Sequence, residues 1–207
     1  MQLNDYLNQL ENLQNVHPVL IEMERYGKSL NFPILNRLSA RLVSIISLMN
    51  KAEYVFEIGS GFGYSAMWIS IYNDYLKEIH LTDYMFQNLE MATEFFRIAG
   101  LENKLRTHLG DGISILESMN MEFDLILNDA EKTQYLRVLE VVKKKLKVGG
   151  IFISDNALWH QKVLKEDEND KETLTIREFN RKIFSDKSFI SSLVPIGDGI
   201  IVSIKVM

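Results

Sequence analysis

The sequence contains no cysteine and only three prolines among its 207 residues. Without thiols the chain can form neither disulfides nor thiolate zinc sites, and it has no cysteine nucleophile. Any metal must therefore be held by oxygen or imidazole ligands. No apolar run approaches the ~18 to 20 residues that a membrane helix needs, and the polar start MQLNDYLNQLENL lacks the pattern of a signal peptide. We therefore expect a cytoplasmic protein with no membrane partner.

The sequence also lacks an excess of positive charge. Lys and Arg number 23 against 28 Asp and Glu, which gives a net charge of -5. This balance argues against a domain that coats nucleic acid, because such binding depends on cations that displace counterions from phosphates. A hydrophobic content of 46% is typical of globular proteins. The length suits one domain, so we predict a single domain over residues 1–207.

The order of apolar patterns predicts helices first and then alternating strands and helices. Residues 1–50 form a predicted helical cap, with helices at 3–15, from Pro18 onward and at about 33–49. Residues 51–207 form the predicted core. Its strands are expected at 54–58, 79–82, 105–109, 123–127 and 151–154, and its helices at 64–71, 86–99, 113–119 and 133–146. Gly100 and the Gly149-Gly150 pair stand where helix ends favour glycine.

The C-terminal part follows a different pattern. Strands at 189–196 and 200–206 flank Gly197-Asp198-Gly199, which predicts an antiparallel hairpin. Alternation of strands and helices predicts a parallel sheet. We therefore expect an α/β, Rossmann-like fold whose seven-stranded sheet has five parallel strands and this hairpin, with helices on both faces. The charged segment 161–171 is expected to move, either as a substrate lid or as a solvated loop.

A glycine-rich turn follows the first predicted strand and opens a helix. It contains Glu57-Ile-Gly59-Ser60-Gly61-Phe-Gly63-Tyr-Ser65, at the place where doubly wound folds bind ligands. Glycines permit a tight turn and let a ligand approach the backbone. The G-x-G-x-G spacing departs from the G-x-G-x-x-G of dinucleotide folds, so a pyrophosphate cradle fits less well.

Two further motifs follow the second and third predicted strands. Asp83 ends the second strand, where an acidic side chain can accept hydrogen bonds from ribose hydroxyls. Gly110-Asp111-Gly112 follows the third strand and either contacts an adenine or is only a turn. Nucleotide dehydrogenases and methyltransferases share the acidic residue, so Asp83 does not separate the two classes.

Oxygen-bearing side chains follow the fourth and fifth predicted strands, in Asn128-Asp129-Ala-Glu131-Lys132 and Ser154-Asp155-Asn156. Both motifs stand at the carboxyl end of a strand, so Asp129, Asp155 and Asn156 can converge on one cation. Two carboxylates and one amide oxygen suit a hard ion such as Mg²⁺. The alternative is that the carboxylates only cap the turns that follow.

Together these segments resemble the metal-dependent O-methyltransferases of the catechol and caffeoyl-coenzyme A type, a branch of the class I methyltransferase fold. The resemblance extends over nearly the whole chain and includes E-I-G-S-G-F-G-Y-S, F-D-L-I-L-N-D-A-E-K, G-G-I-F-I-S-D-N-A-L-W and V-P-I-G-D-G-I. It implies transfer of a methyl group from S-adenosylmethionine (SAM) to a hydroxyl oxygen. It also implies a divalent cation, expected to be Mg²⁺, and a homodimer.

The resemblance further implies which residues form the site. Those expected to contact the cofactor are Glu57, Gly59, Ser60, Gly61, Ser65, Asp83, Gly110, Asp111, Gly112 and Asp129. Those expected to hold the cation are Asp129, Asp155 and Asn156. Catalysis is assigned to Lys132, as general base, and to Asp129. A sulfonium methyl group is already electrophilic, so the enzyme must supply a deprotonated oxygen close to it.

Two segments depart from the family pattern and bear on the acceptor. The family usually has a hydrophobic residue in place of Asn128, and small residues in place of His160-Gln161-Lys162. The segments V-P-I-G-D-G-I and F-P-I-L are similar to bacterial members, including the subgroup that methylates 5-hydroxyuridine in tRNA. The acidic net charge favours a small phenolic or catechol-like acceptor over tRNA. An NAD-binding oxidoreductase and an inactive SAM-binding protein are the alternatives of other classes.

Overall fold

The computed structural model describes residues 3–207, so Met1 and Gln2 of the predicted cap lie outside the described residues. The α-helices of this part are α1 (Leu3–Asn12), α2 (Pro18–Ser29), α3 (Arg37–Met49), α4 (Tyr64–Tyr72), α5 (Phe86–Ile98), α6 (Gly112–Ser118), α7 (Tyr135–Lys145) and α8 (Lys171–Ser185). The strands are β1 (Tyr54–Ile58), β2 (Glu78–Asp83), β3 (Leu105–Leu109), β4 (Phe123–Asn128), β5 (Leu146–Ser154), β6 (Phe189–Val194) and β7 (Ile200–Lys205).

All seven strands belong to one sheet, with the order β3-β2-β1-β4-β5-β7-β6. The first five strands pair in parallel, whereas β7 is antiparallel to both β5 and β6. The predicted α/β fold with five parallel strands and a C-terminal hairpin is therefore confirmed. Because parallel strands share one direction, the carboxyl ends of β1, β2, β4 and β5 lie along the same edge of the sheet.

Helices cover the sheet on both faces, and each face has its own apolar core. On one face α2 to α5 bury side chains such as Leu20 and Phe96. On the other face α6 to α8 bury side chains such as Leu116 and Phe179. The central strands β1 and β4 are buried along almost their whole length, as expected for strands that helices cover on both faces of the sheet. No described helix is long and apolar enough to cross a membrane.

The third helix begins later than the sequence pattern predicts. It starts at Arg37, and Asn36 is its N-cap, whose Oδ1 accepts a hydrogen bond from the Ser39 amide at 2.9 Å. Pro33 disfavours helical geometry at the residue before it, and residues 32–35 are non-helical. This difference matters for function, because the segment lies at the ligand cleft.

The Gly149-Gly150 pair does not end a helix, contrary to the prediction, but lies within β5. Gly149 has φ +81°, and a Cβ on Gly150 would be 2.8 Å from a backbone carbonyl oxygen. The pairing of β4 with β5 also shifts register near the start of β4. The two glycines therefore accommodate an irregular, bulged start of the strand.

The charged segment 161–171 is bound to α8 mainly by the side chain of Arg177. The Arg177 guanidinium donates to backbone carbonyl oxygens, namely those of Lys162 (3.0 Å), Val163 (3.1 Å), Lys165 and Glu168 (2.8 Å). Asp170 caps α8 by accepting from the Thr173 amide at 2.9 Å. The segment thus has a defined path over the helix that follows it, and its role as a substrate lid stays a prediction.

Candidate active site

The carboxyl ends of the parallel strands open onto a cleft of about 460 Å³, a size that suits a small-molecule ligand. The predicted site residues that line it are Glu57, Gly59, Ser60, Gly61, Ser65, Asp83, Asp111, Gly112, Asp129, Lys132 and Asp155. Gly110 and Asn156 are outside this lining, although each adjoins a residue within it. The structure therefore brings almost the whole predicted set into one place.

The cleft also has an apolar wall, most of which falls within the helix predicted at about 33–49. Phe32, Pro33, Ile34 and Leu35 form it, on the side of the helical cap. Their placement follows from the Asn36 cap, which keeps the segment out of α3. The sequence signal that could have shown this is the proline three residues before a capping asparagine.

The glycine turn joins β1 to α4 through left-handed backbone. Gly59, Gly61 and Gly63 have φ of +77°, +52° and +78°. A Cβ on Gly59 would be 2.5 Å from the carbonyl oxygen of Asp129, and one on Gly61 would be 2.8 Å from the Phe32 ring. Glycine is thus required by the protein's own packing as well as by the turn. The turn lies directly against both the loop after β4 and the apolar wall.

Asp83 stabilises the glycine turn from the neighbouring strand. Its Oδ2 accepts a hydrogen bond from the Gly61 amide at 3.0 Å. Its Oδ1 accepts from the Met85 amide at 2.7 Å and from Asn88 Nδ2 at 3.0 Å. A carboxylate has about four acceptor positions, so Asp83 retains capacity for a ligand hydroxyl.

The carboxylate of Asp111 has a structural role. It accepts hydrogen bonds from the Ile113 amide at 3.0 Å and the Ser114 hydroxyl at 2.9 Å, and it pairs with Arg137 at 2.7 Å. Gly112 cannot be replaced without rearrangement, because a Cβ there would be 2.3 Å from Thr82 Oγ1. The motif is therefore a helix-capping turn that also borders the cleft.

Glu57 is the most deeply buried acid of the cleft. It is 2% exposed, and the Ser65 hydroxyl donates to its Oε1. Burial raises the pKa of Glu57 to about 8, the charges of Asp129 and Asp83 add to this, and the hydrogen bond from Ser65 only partly offsets it. Its Oε2 has no hydrogen-bond partner among the described residues. A buried acceptor of this kind fits a donor group of a bound ligand.

Two carboxylates meet at the tips of β4 and β5. Asp155 is 8% exposed, and burial, followed by the negative charge of Asp129, raises its pKa to about 7. The surrounding protein raises the pKa of Asp129 as well, and the charge of Lys132 opposes this. A cation between the two carboxylates would relieve their repulsion, so they fit a divalent ion. No group of three or more His, Asp or Glu side chains that could hold a metal ion is found among the described residues.

Lys132 is fixed beside these carboxylates. Its Nζ donates to Asp129 Oδ1 at 2.8 Å and to the Ala130 carbonyl at 3.3 Å. The same atom lies 5.6 Å from the ring centroid of Tyr135 and 5.8 Å from that of Trp159. The side chain is only 14% exposed. One carboxylate, one carbonyl and two aromatic rings thus define the position of the amine.

Asn128, which departs from the family pattern, links the same two strand tips. It is fully buried, and its Nδ2 donates to the Ser154 hydroxyl at 2.9 Å while its Oδ1 accepts from the Ala130 amide at 3.2 Å. Its carbonyl accepts from the Asp155 amide at 3.1 Å. All its polar groups are therefore paired, and these bonds fix the spacing between the loops that contain Asp129 and Asp155.

The hairpin turn supplies a residue that the sequence analysis missed. Asp198 Oδ2 accepts a hydrogen bond from Asn156 Nδ2 at 3.2 Å. The turn lies over the end of β5, where the Ala157 amide donates to the Gly199 carbonyl at 2.9 Å and the Leu158 amide to the Asp198 carbonyl at 2.8 Å. The letters G-D-G signal a turn, but they do not indicate what that turn contacts.

Comparisons with known proteins agree with this geometry. The O-methyltransferase family model matches residues 10–206. Caffeoyl-CoA O-methyltransferase of Populus kitakamiensis is 30% identical over 171 residues, which cover 77% of this chain and 73% of that protein.

Two solved structures share the fold. An O-methyltransferase from Bacillus cereus in complex with SAH (S-adenosylhomocysteine) has a TM-score of 0.85 at 20% identity, over 97% of this chain and 96% of that one. The O-methyltransferase TomG from Streptomyces achromogenes, in complex with SAM, has a TM-score of 0.88 at 17% identity, over 100% of both chains. With the family match, these findings confirm the predicted enzyme class, and the chain belongs to the O-methyltransferase family.

Proposed function

We propose that this chain transfers the methyl group of SAM to a hydroxyl oxygen of a small phenolic or catechol-like acceptor, with a divalent cation, Mg²⁺, at Asp129 and Asp155. One observation carries the proposal. A single cleft combines a buried acid that has one unpartnered oxygen, beside a glycine turn, with two mutually repelling carboxylates beside a fixed amine. The family match supports methyl transfer to oxygen, and the SAH and SAM complexes of the two related folds support the donor.

The glycine-turn end of the cleft suits the donor. Glu57 has a free buried oxygen, which can accept a hydrogen bond from the ammonium group of a methionine moiety. Asp83 retains acceptor capacity for ribose hydroxyls. In the proposed arrangement the sulfonium methyl faces the loop after β4, because Gly59 is packed against Asp129.

Asp129, Asp155 and Asn156 are the proposed ligands of the cation. When bound, a divalent cation orients a nearby hydroxyl and lowers its pKa. The protein's own contribution is the rigid spacing of the ligands. Asn128 links the two strand tips from within the core, so Asp129 and Asp155 are held close together despite their repulsion.

Lys132 is the proposed proton acceptor. Its Nζ lies 2.8 Å from Asp129 Oδ1, so a hydroxyl held at the carboxylates is within its reach. An amine accepts a proton only in its neutral form, and the acceptor oxygen must lose its proton to attack the methyl carbon in line with the sulfur. The rings of Tyr135 and Trp159 exclude water from one side of the amine.

The charges of the cleft favour a small acceptor over tRNA. Its lining includes the acidic residues Glu57, Asp83, Asp111, Asp129, Glu131 and Asp155. Among the described lining residues Lys132 is the one basic side chain. Such a surface repels the phosphates of an RNA backbone. The apolar wall formed by residues 32–35 suits an aromatic ring instead.

A transfer assay tests the proposal directly. The protein would be incubated with methyl-labelled SAM and either a panel of phenols and catechols or unmodified tRNA. We expect label on a catechol, loss of transfer with EDTA and recovery with excess Mg²⁺. Transfer to tRNA alone would replace the proposed acceptor, transfer that EDTA does not affect would exclude the cation, and binding of NAD⁺ without binding of SAH would exclude the donor.

A further inference from the structure

The turn Gly197-Asp198-Gly199 is wedged between the cap and the segment after β5. A Cβ on Gly199 would be 2.5 Å from Leu158 Cγ, and a Cβ on Gly197 would be 2.1 Å from Asn36 Nδ2. Both glycines also have positive φ, +81° and +59°. This close packing on two sides determines the position of Asp198, whose side chain is only 19% exposed.

The segment that the turn contacts has an unusual backbone. Asn156, Trp159, His160 and Gln161 all have positive φ, between +46° and +62°. Left-handed backbone is unfavourable for residues other than glycine, and it persists where the surroundings hold it in place. The path of residues 156–161 therefore depends on contacts from outside the segment.

Asp198 provides such contacts with both carboxylate oxygens. Oδ1 accepts a hydrogen bond from the His160 amide at 2.6 Å, and Oδ2 accepts from Asn156 Nδ2 at 3.2 Å. An ionised carboxylate only accepts hydrogen bonds, whereas an asparagine amide has one donating and one accepting end. Asp198 thus selects the NH₂ end of Asn156 and leaves Oδ1 as the atom available to a cation.

We propose that Asp198 is a positioning residue of the methyl-transfer site: it orients the amide of Asn156 so that Oδ1 serves as a ligand, and it fixes the backbone of residues 158–160. The inference rests on the proposed function, because it takes Asn156 as a ligand of the cation. Asp198 itself acts through Asn156 and His160 and contacts neither substrate nor cofactor.

The test compares Asp198→Asn with Asp186→Asn by the Mn²⁺ affinity of the purified protein, measured by calorimetry. Asp186 is a matched control, since it is 17% exposed, pairs with Lys143 at 2.8 Å and accepts from the Ser188 amide at 2.9 Å, away from the cleft. We expect Asp198→Asn to weaken Mn²⁺ binding by about 10- to 100-fold, as for other residues that orient metal ligands. Asp186→Asn should leave it unchanged.

Two further measurements separate positioning from a general loss of structure. Affinity for SAH should stay within about twofold of wild type in Asp198→Asn, while amide hydrogen exchange at residues 158–160 becomes faster. In an Asn156→Ala background, Asp198→Asn should cause no further loss of Mn²⁺ affinity, because the amide that it orients is absent. Fully additive losses would overturn the inference.

The outcomes also distinguish this inference from the proposed function. Unchanged Mn²⁺ affinity in Asp198→Asn, with clear binding by wild type, would overturn the role of Asp198 alone. A wild-type protein that binds no Mn²⁺ would refute the cation site, and the inference with it. Equal loss of SAH and Mn²⁺ affinity in Asp198→Asn would show a folding defect and would also overturn the positioning role.

Discussion

The two ends of the cleft are built in different ways. The glycine-turn end comes mainly from residues 57–65, with Asp83 from the neighbouring strand. The carboxylate end combines the loop after β4, the segment after β5 and the hairpin turn near the C terminus. A short stretch of sequence therefore specifies the first end, whereas the second end exists only when three distant segments have packed together.

Because the two ends are built separately, we expect substitutions to impair metal-dependent turnover and SAH affinity independently. The largest difference between these two effects is expected for Asp155→Ala. Loss of one proposed ligand should reduce Mg²⁺-dependent turnover on the order of 1000-fold, equivalent to several kcal/mol of transition-state stabilisation. Affinity for SAH should change little. Turnover with saturating Mg²⁺ and calorimetry with SAH would measure the two effects. Full turnover in the variant would refute the cation site.

The next largest effect on turnover is expected for substitutions of Lys132. They distinguish a role as proton acceptor from a purely electrostatic role at the carboxylate end. Removal of a general base should lower kcat by about 100-fold in Lys132→Ala. Lys132→Arg keeps the positive charge beside Asp129 but cannot accept a proton, because a guanidinium does not deprotonate in proteins. Equal losses in both variants would support proton transfer. Near wild-type kcat in Lys132→Arg would instead assign the residue a purely electrostatic role.

At the glycine-turn end, Glu57→Gln should lower SAH affinity by about tenfold, as expected for loss of a charge-assisted hydrogen bond. Burial raises the pKa of Glu57 to about 8, so the neutral form dominates below that pH. Since an ammonium group favours the carboxylate, wild-type affinity should rise as the pH increases toward 8 and then level off. Glu57→Gln should lack this rise, while the exposed control Glu53→Gln should retain it. A flat wild-type profile would contradict the assignment.

The smallest effect is expected away from both ends, at a histidine pair of β2 and β3. His80 Nδ1 lies 3.0 Å from His108 Nε2, with Glu78 at 3.3 Å from His80 and Arg106 paired to Glu78. Burial lowers the pKa of both histidines, so the folded state binds fewer protons than the unfolded chain. The contribution of the histidine pair to the free energy of unfolding should therefore decrease as the pH falls below about 6.5.

The measurement is urea denaturation between about pH 5 and pH 7.5, where an unpaired histidine changes charge. The free energy of unfolding of wild type minus that of His80→Asn should decrease as the pH falls, and SAH affinity should be unchanged at neutral pH. An identical pH dependence in the variant would remove the histidine pair as its cause. A change in SAH affinity would show that this part of the sheet is coupled to the cleft.

The contrast between a locally encoded end of the cleft and an end built from distant segments also explains which features the sequence predicted. Apolar periodicity and turn residues are local signals. They were enough to predict the five parallel strands with the C-terminal hairpin, the glycine turn and the polar side chains at the tips of β4 and β5. The predicted start of α3 was wrong because a capping side chain overrode the apolar pattern. The predicted place of the Gly149-Gly150 pair was wrong because the pair lies in an irregular strand.

Two residues show what local patterns leave out. Asp198 acts through contacts with residues about 40 positions earlier in the chain, and the sequence alone does not specify that distance in space. Asn128 stands where the family usually has a hydrophobic residue, and only the structure shows its hydrogen-bond partners at the end of β5. In both cases the function of the residue is defined by what the sheet brings next to it.

The contact between Gly59 and Asp129 limits which residues around the cleft can be substituted. The carbonyl of Asp129 occupies the space of any side chain at Gly59, so a larger residue there would displace the loop after β4 that contains Asp129 and Lys132. Variation in substrate preference is therefore expected in the apolar wall of residues 32–35, where side chains can change without altering the distance over which the methyl group moves.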